Sequence, residues 1–332
     1  MKPLRKRIVS LLLTGLTGAA LLTGCGSTPE KKVITCETSS LSLGTATFYM
    51  RYYEALAETP CDGNPDDIKK LWNTQKADGE TYETLVKTEC IRDLNELCLI
   101  KAHKKDLGIS LSDKDKKAID KNVRTFTKLN SEKDLEKLGI RKADIKELST
   151  LLTYKVKAYK ALSEEKIRDV SDEEAMQGRA LYVRFPLAEG DPKTLTKLAE
   201  DFAASTKDCK TPETFRAKAK AQHLPCESTA FDRTTAIPSR QMVATLFKSH
   251  PGTSTGLVKD EDALYVAFYV TDFDKQSTAL NKEKIRTELQ KTHVTERISA
   301  LEKKTPVKTE TKVLEDIDFL TNDTLLKLPK QD

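Results

Sequence analysis

Between Thr81 and Ile167 the chain repeats apolar residues at three- and four-residue steps, and at Val170 that period stops. Tyr82, Val86, Cys90, Leu94, Leu97 and Cys98 form one stripe; Ile119, Val123 and Phe126 a second; Ile145, Leu148, Leu152, Val156, Tyr159 and Leu162 a third. Each predicts an amphipathic helix with charges on its other face. None is wide enough to stand alone, so the helices must pack on one another or on a later segment. Beyond Val170 the texture becomes mixed. Ser171 to Glu174 has the form of a capping box, and Ala180 to Phe185 alternates as a strand. Helices follow around 195–204 and 212–223, then a short strand at Phe231, a helix over 241–247, a Pro251-Gly252 turn, and the strand Ala263 to Val270. This is a compact α+β module of about 100 residues. The helical period returns over 282–303 through Ile285, Leu289, Val294, Ile298 and Leu301, and 307–320 reads as extended.

Composition agrees with this pattern. Charged residues make up 32% of the 332 and only 13 are Gly, which favours long solvated helices over a strand-rich architecture. Aromatic residues are 6%, so a sugar or nucleobase site lined by rings is not expected. Between 32 and 48, Val, Ile, Thr and Ser suggest one or two short strands, and 48–57 turns helical. Residues 59–80, with two Pro and two Gly, read as a loop around the single Trp72.

The N-terminus predicts export. Lys2, Arg5, Lys6 and Arg7 precede an apolar run from Ile8 to Leu22, followed by Thr23-Gly24-Cys25. A basic head, a short apolar middle and small residues before a cleavage point are the parts of a signal peptide, and the run is too short for a comfortable membrane span. Leu22 to Cys25 resembles the bacterial lipobox, which implies that Cys25 is lipidated and becomes the mature N-terminus. Gly26 to Lys32 is small and polar, as a tether should be. The expected localisation is the outer face of the bacterial cytoplasmic membrane, with Cys25 inserting in its lipid. Four of the 56 basic residues lie in this head, leaving 52 against 51 acidic ones. That balance argues against a nucleic-acid partner.

Six cysteines remain: Cys36, Cys61, Cys90, Cys98, Cys209 and Cys226. Cys90 and Cys98 sit eight residues apart on one helix, roughly 12 Å, too far to bond, and read as small core residues. Cys209 and Cys226 flank one helix and are placed to close a disulfide. No cysteine has metal-ligand spacing, so no metal is expected. His103, His223, His250 and His293 are scattered without a nucleophile or carboxylate at a telling distance. GxSxG, HExxH, P-loop and GxGxxG motifs are absent, which disfavours an ordinary hydrolase or nucleotide enzyme and calls for no cofactor.

The element order resembles the extracytoplasmic foldases of the PrsA and SurA type, a helical chaperone domain carrying a parvulin-type peptidyl-prolyl isomerase module. Leu107 to Asp113, Leu138 to Ile145 and Val170 to Glu174 sit where that family places helix boundaries. Leu246 to Val258 is similar to the parvulin stretch in which a helix ends at Pro-Gly and a strand begins. The resemblance implies a signal peptide over 1–24, a tether over 25–35, a helical chaperone part over 36–170, a parvulin-like module over 175–274, and a helix and tail over 280–332 that pack back on the chaperone part. The fold expected is α+β and mostly helical.

The chain also departs from the parvulin pattern. Where the first strand usually carries a histidine, Gly178 to Tyr182 places Ala180; where the last strand carries a second, Tyr265 is followed by Val266. The Gly-Gly-Asp-Leu-Gly stretch has no counterpart near Ser228 to Arg233. Two readings of Met242 and Phe247 stand: lining of a proline-sized pocket, or anchors of their helix on the sheet. The function expected is a membrane-tethered chaperone for newly exported, unfolded polypeptides with little isomerase activity. An active isomerase and a solute-binding lipoprotein are the alternatives.

Overall fold

The computed structural model describes residues 31–37, 39–76, 79–320 and 324–329. The signal peptide, Cys25 and the first part of the tether lie outside the described residues. Among the described residues no helix is long and apolar enough to cross a membrane. The described residues divide into two compact units, a body formed by those up to Lys166 and from Lys291 onward, and a module over Ile167–Gln290. The module is therefore wider at both ends than the expected 175–274.

The body opens with β1 (Lys32–Cys36) and β2 (Ser39–Ser42), an antiparallel pair. Helix α1 (Leu43–Glu58) starts where the Ser42 hydroxyl accepts the Thr45 N–H at 3.1 Å. Helix α2 (Pro65–Trp72) occupies what reads as loop; Asn64 caps it and Pro65 takes its first position, where a missing N–H costs nothing. Helices α3 (Tyr82–Ala102), α4 (Asp113–Leu129), α5 (Glu132–Lys137) and α6 (Lys142–Ser163) follow. Ser112 and Asp115 form a reciprocal capping box on α4. Helix α3 packs against β1, α1 and α6, and the predicted stripes meet there: Leu94, Leu97, Cys98, Val123, Phe126, Ile145, Leu148 and Leu162 share one core. Trp72 is fully buried in it, stacked on Tyr82 with its indole N–H donated to Glu58 at 2.7 Å.

The module begins with α7 (Asp172–Ala175) and β3 (Gly178–Pro186). Ser171 accepts the Glu174 N–H at 3.1 Å, but the Glu174 carboxylate pairs with Arg168 rather than closing the expected box. Helices α8 (Pro192–Thr206) and α9 (Pro212–Ala221), β4 (Glu227–Phe231), α10 (Arg240–Leu246), β5 (Thr253–Lys259) and β6 (Ala263–Thr271) complete it. The four strands form an antiparallel sheet in the order β4-β3-β6-β5. Strand alternation divides β3 and β6 between two cores. Leu181, Val183, Phe185, Leu264, Val266 and Phe268 face Phe202 and Phe215 of α8 and α9. Ala180, Tyr182, Tyr265, Ala267 and Tyr269 face Met242, Val243 and Leu246 of α10.

Helix α11 (Lys275–Lys304) starts seven residues earlier than its stripe suggests, and its Val294 and Ile298 enter the core of the body. The tail is only briefly extended. β7 (Val307–Thr309) pairs antiparallel with β1, giving a three-stranded sheet, and α12 (Thr311–Glu315) follows.

Candidate functional site

The two faces of the module sheet differ in cover. Helices α8 and α9 pack on one face, while α10, seven residues long, packs on the other. At the C-terminal end of α10 a cleft of about 330 Å3 lies between the ends of β4, α10 and β6. Its apolar lining comes from Phe231, Phe247, Tyr269 and Met176. The Phe231 ring meets Phe247 edge-on at 5.4 Å and Tyr269 at 5.3 Å, orientations that suit the ring quadrupoles. Phe231 is buried, whereas Phe247 is 39% and Met176 46% exposed. The Arg233 guanidinium stacks 5.0 Å from the Phe247 centroid.

Gly178 is part of this wall for a steric reason. A Cβ there would stand 2.8 Å from the Phe231 ring and 3.1 Å from the Thr271 carbonyl, so only glycine lets the ring seat. Asp232 shapes the rim from behind. It accepts from Thr234 and Thr235 and from the Gln177 amide at 2.5 Å. Burial pushes its carboxyl up, but these hydrogen bonds outweigh burial and hold it below the ordinary range.

The face under α10 carries Ala180, at the position where the sequence resemblance expects a histidine, and it is filled. Ala180 is fully buried and its cross-strand partner is Tyr269. Val266, expected at the second histidine position, pairs with Val183 and points into the opposite core. Ala180 and Val266 therefore do not converge, because residues an odd number of steps out of register on paired strands face opposite ways. The positions that share the face with Ala180 are Tyr265, Ala267 and Tyr269. The Tyr182 hydroxyl bonds to the Glu227 carboxylate, and the Tyr265 hydroxyl donates to the Pro238 carbonyl at 3.1 Å while accepting from Arg184 at 3.2 Å. Burial, reinforced by Glu227, pushes the Tyr182 phenol well above its ordinary value. These hydroxyls are engaged in holding the face together.

Met242 and Phe247 part company. Met242 is fully buried beneath Tyr182 and Tyr265 and anchors α10 to the sheet, while Phe247 lines the cleft. Cys209 and Cys226 are both free thiols: Cys209 is buried in the core under α8 and α9, and Cys226 packs against it from the side, half-buried. All six described cysteines are free. Burial pushes the Cys98 thiol up to about 12, which makes it inert as a nucleophile. His103 caps α3 but is buried, with its ring nitrogens on Asp106 and Thr305. His293 pairs with Glu165. Among the described residues no cluster of three or more His, Cys, Asp or Glu is arranged to hold a metal ion. The residues missed by sequence reasoning are Phe231, Arg233, Tyr269 and Asp272 of the cleft. Their signal is faint, since the ends of two strands about 40 residues apart, β4 and β6, supply them.

No protein-family model matches the sequence, and no curated protein matches it. Solved structures do resemble it. The foldase protein PrsA from Streptococcus pneumoniae is 17% identical, with 74% of this chain and 98% of that one covered and a TM-score of 0.31. A SurA-like chaperone of Campylobacter jejuni, from a study of PEB4 and Cj1289, is 12% identical over 84% of this chain and 98% of that one, with a TM-score of 0.29. The peptidylprolyl isomerase PrsA from Bacillus cereus is 16% identical over 74% and 95%, also at 0.29. The likeness is to PrsA and SurA-like proteins and is one of fold. At such scores the functional reading rests on this chain's own geometry.

Proposed function

We propose that the chain is an extracytoplasmic, membrane-anchored chaperone that holds newly exported polypeptides, with a parvulin-like module that has lost isomerase chemistry. The observation that carries this reading is the α10 face of the module. The β4-β3-β6-β5 sheet presents Ala180, Ala267 and engaged tyrosines where a converging polar pair is needed. Rotation about a peptide bond meets a barrier of ~18–20 kcal/mol, and lowering it requires preorganised polar groups against the proline. A buried alanine and committed hydroxyls supply none. What the module retains is an open apolar cleft with charged edges, a surface suited to short exposed apolar segments of an unfolded chain. The signal peptide and Cys25 support the location, at the membrane face where such chains emerge.

Two assays test the reading. The chain from residue 26 onward should suppress aggregation of a chemically denatured client at equimolar to several-fold excess; no suppression would reject a chaperone. In a proline-peptide assay the cis/trans rate should equal the uncatalysed background, and a clear acceleration would restore the isomerase. Incorporation of labelled fatty acid, lost in Cys25→Ala, checks the anchor.

A further inference from the structure

The rim of the module cleft is charged in one direction. Glu173, Glu174, Asp232 and Asp272 line it against a single cation, Arg233, which stacks on Phe247. Two of the four carboxylates are committed. Glu174 makes a two-point pair with Arg168, both contacts at 2.7 Å, and Asp232 is saturated by Gln177, Thr234 and Thr235. The other two form no ion pair among the described residues. Glu173 bonds to Ser171 and to its own backbone N–H and feels the Lys282 ammonium, which itself pairs with Asp172 at 2.7 Å, while Asp272, exposed, has no hydrogen-bond or ion-pair partner among the described residues. The charge of Asp272 reaches the cleft, because it adds to the effect of burial in pushing the Tyr269 phenol up. Rings and a thioether thus sit beside unbalanced negative charge, in a volume suited to one large side chain and its backbone.

We propose that this cleft takes client segments in which an aromatic or long aliphatic side chain is flanked by Lys or Arg. The inference rests on the reading that the chain binds unfolded exported polypeptides, and it names which segments the module selects. The apolar side chain packs against Phe247, Tyr269 and Met176, while the flanking cations approach Asp272 and Glu173. Charges at such a rim mainly set selectivity and salt dependence. A segment flanked by Asp or Glu meets the carboxylates of Glu173 and Asp272 instead of counter-charges and is rejected. The site lies beyond the row through Ala180, so it asks for no proline.

The test uses the full chain and three fluorescein-labelled ten-residue peptides with a central Phe flanked by Lys, a central Phe flanked by Glu, or a central Ala flanked by Lys. Anisotropy titrations at 50 mM NaCl should show the Lys-Phe peptide binding at least tenfold tighter than either other, with the gap over the Glu-Phe peptide shrinking at 300 mM. Asp272→Asn should weaken the Lys-Phe peptide three- to tenfold without changing the melting temperature. Phe247→Ala should weaken it more than tenfold, with helical circular dichroism retained as the check on folding. Equal affinity for the Lys-Phe and Glu-Phe peptides, or an unchanged affinity in Asp272→Asn, would overturn the proposal. Aggregation suppression is measured alongside. Suppression with no charge preference overturns this inference and leaves the chaperone reading standing, whereas no suppression overturns the reading itself.

Discussion

The body and the module bury their polar groups in different ways. Glu54, Glu58, Lys87, His103 and Asp144 are all buried in the body, each with partners. The buried polar residues of the module are Gln177, Thr206, Ser239, Ser277 and Thr278, and no charged side chain is among them. In the body, charge is part of how elements are joined. The Arg51 guanidinium grips Glu54 at 2.8 Å and the Asp318 carbonyl at 2.8 Å, and Lys87 reaches the Glu315 carbonyl at 2.7 Å. Both cations lie against Phe319, which also packs on Trp72. The tail is thereby tied to α1, α2 and α3. The module keeps its charges at the edge, where a ligand can meet them. A unit that depends on buried charge should answer to pH, and one that keeps charge at its rim should answer to salt.

That contrast can be broken by mutation, starting with Asp144. It is buried and accepts from the Arg141 backbone and guanidinium at 2.8–3.0 Å and from Ser42 at 3.2 Å, and Gly44 approaches so closely that a Cβ would lie 2.4 Å from its carboxylate. Asp144→Ala should cost about 3–5 kcal/mol, because partners are left without an acceptor. Trp72, the single tryptophan, lies in the body, so its fluorescence follows the unfolding of this unit during a urea titration.

Next in size is the pH effect of Glu54. Burial pushes its carboxyl up to about 7, with Arg51 pulling the other way. The folded state then binds a proton that the unfolded chain releases, so this group's stabilisation is complete near pH 4.5 and is lost as pH rises through 7. The loss is at most about 3 kcal/mol. The midpoint followed by Trp72 should fall between pH 5 and 8 in the native chain and fall less steeply in Glu54→Gln, where the upward push of burial on Glu58 remains; parallel curves would remove Glu54 as the cause.

In the module, Met242→Ala should cost about 2–3 kcal/mol through its cavity. The loss should be the same at pH 5 and pH 8, measured by circular dichroism, since no buried charge faces it; a loss that changed with pH would break the comparison. Phe247→Ala is the smallest, under about 1 kcal/mol, because the ring is 39% exposed. A large stability loss there would show that Phe247 holds the fold and does not serve the cleft.

Much of the body is legible from periodicity, since its helices satisfy their backbone locally and their stripes need only be brought together. Helix α2 is also written locally, by Asn64 and Pro65, but Gly63, Gly79 and Pro60 around it disguise the signal. The start of α11 at Lys275 is less legible, because its first turns are polar and are held by Asp274 and by the contact of Thr278 with the Gln177 N–H. The pairing of β7 with β1 joins positions about 270 residues apart, and nothing in Val307–Thr309 names its partner.

By itself the sequence determines the helical texture of the body, the alternating strands of the module and the apolar Ala180 in the first of them. These follow from side-chain identity and from periods of 3.6 and 2 that act over a few residues. Tertiary structure alone decides that Val266 faces away from Ala180, that Met242 is core while Phe247 is surface, and that Phe231, Phe247, Tyr269 and Asp272 surround one cleft. Register is the physical reason. A shift of one residue between β3 and β6 exchanges the two faces of a strand, and that register is set by packing between segments more than 75 residues apart.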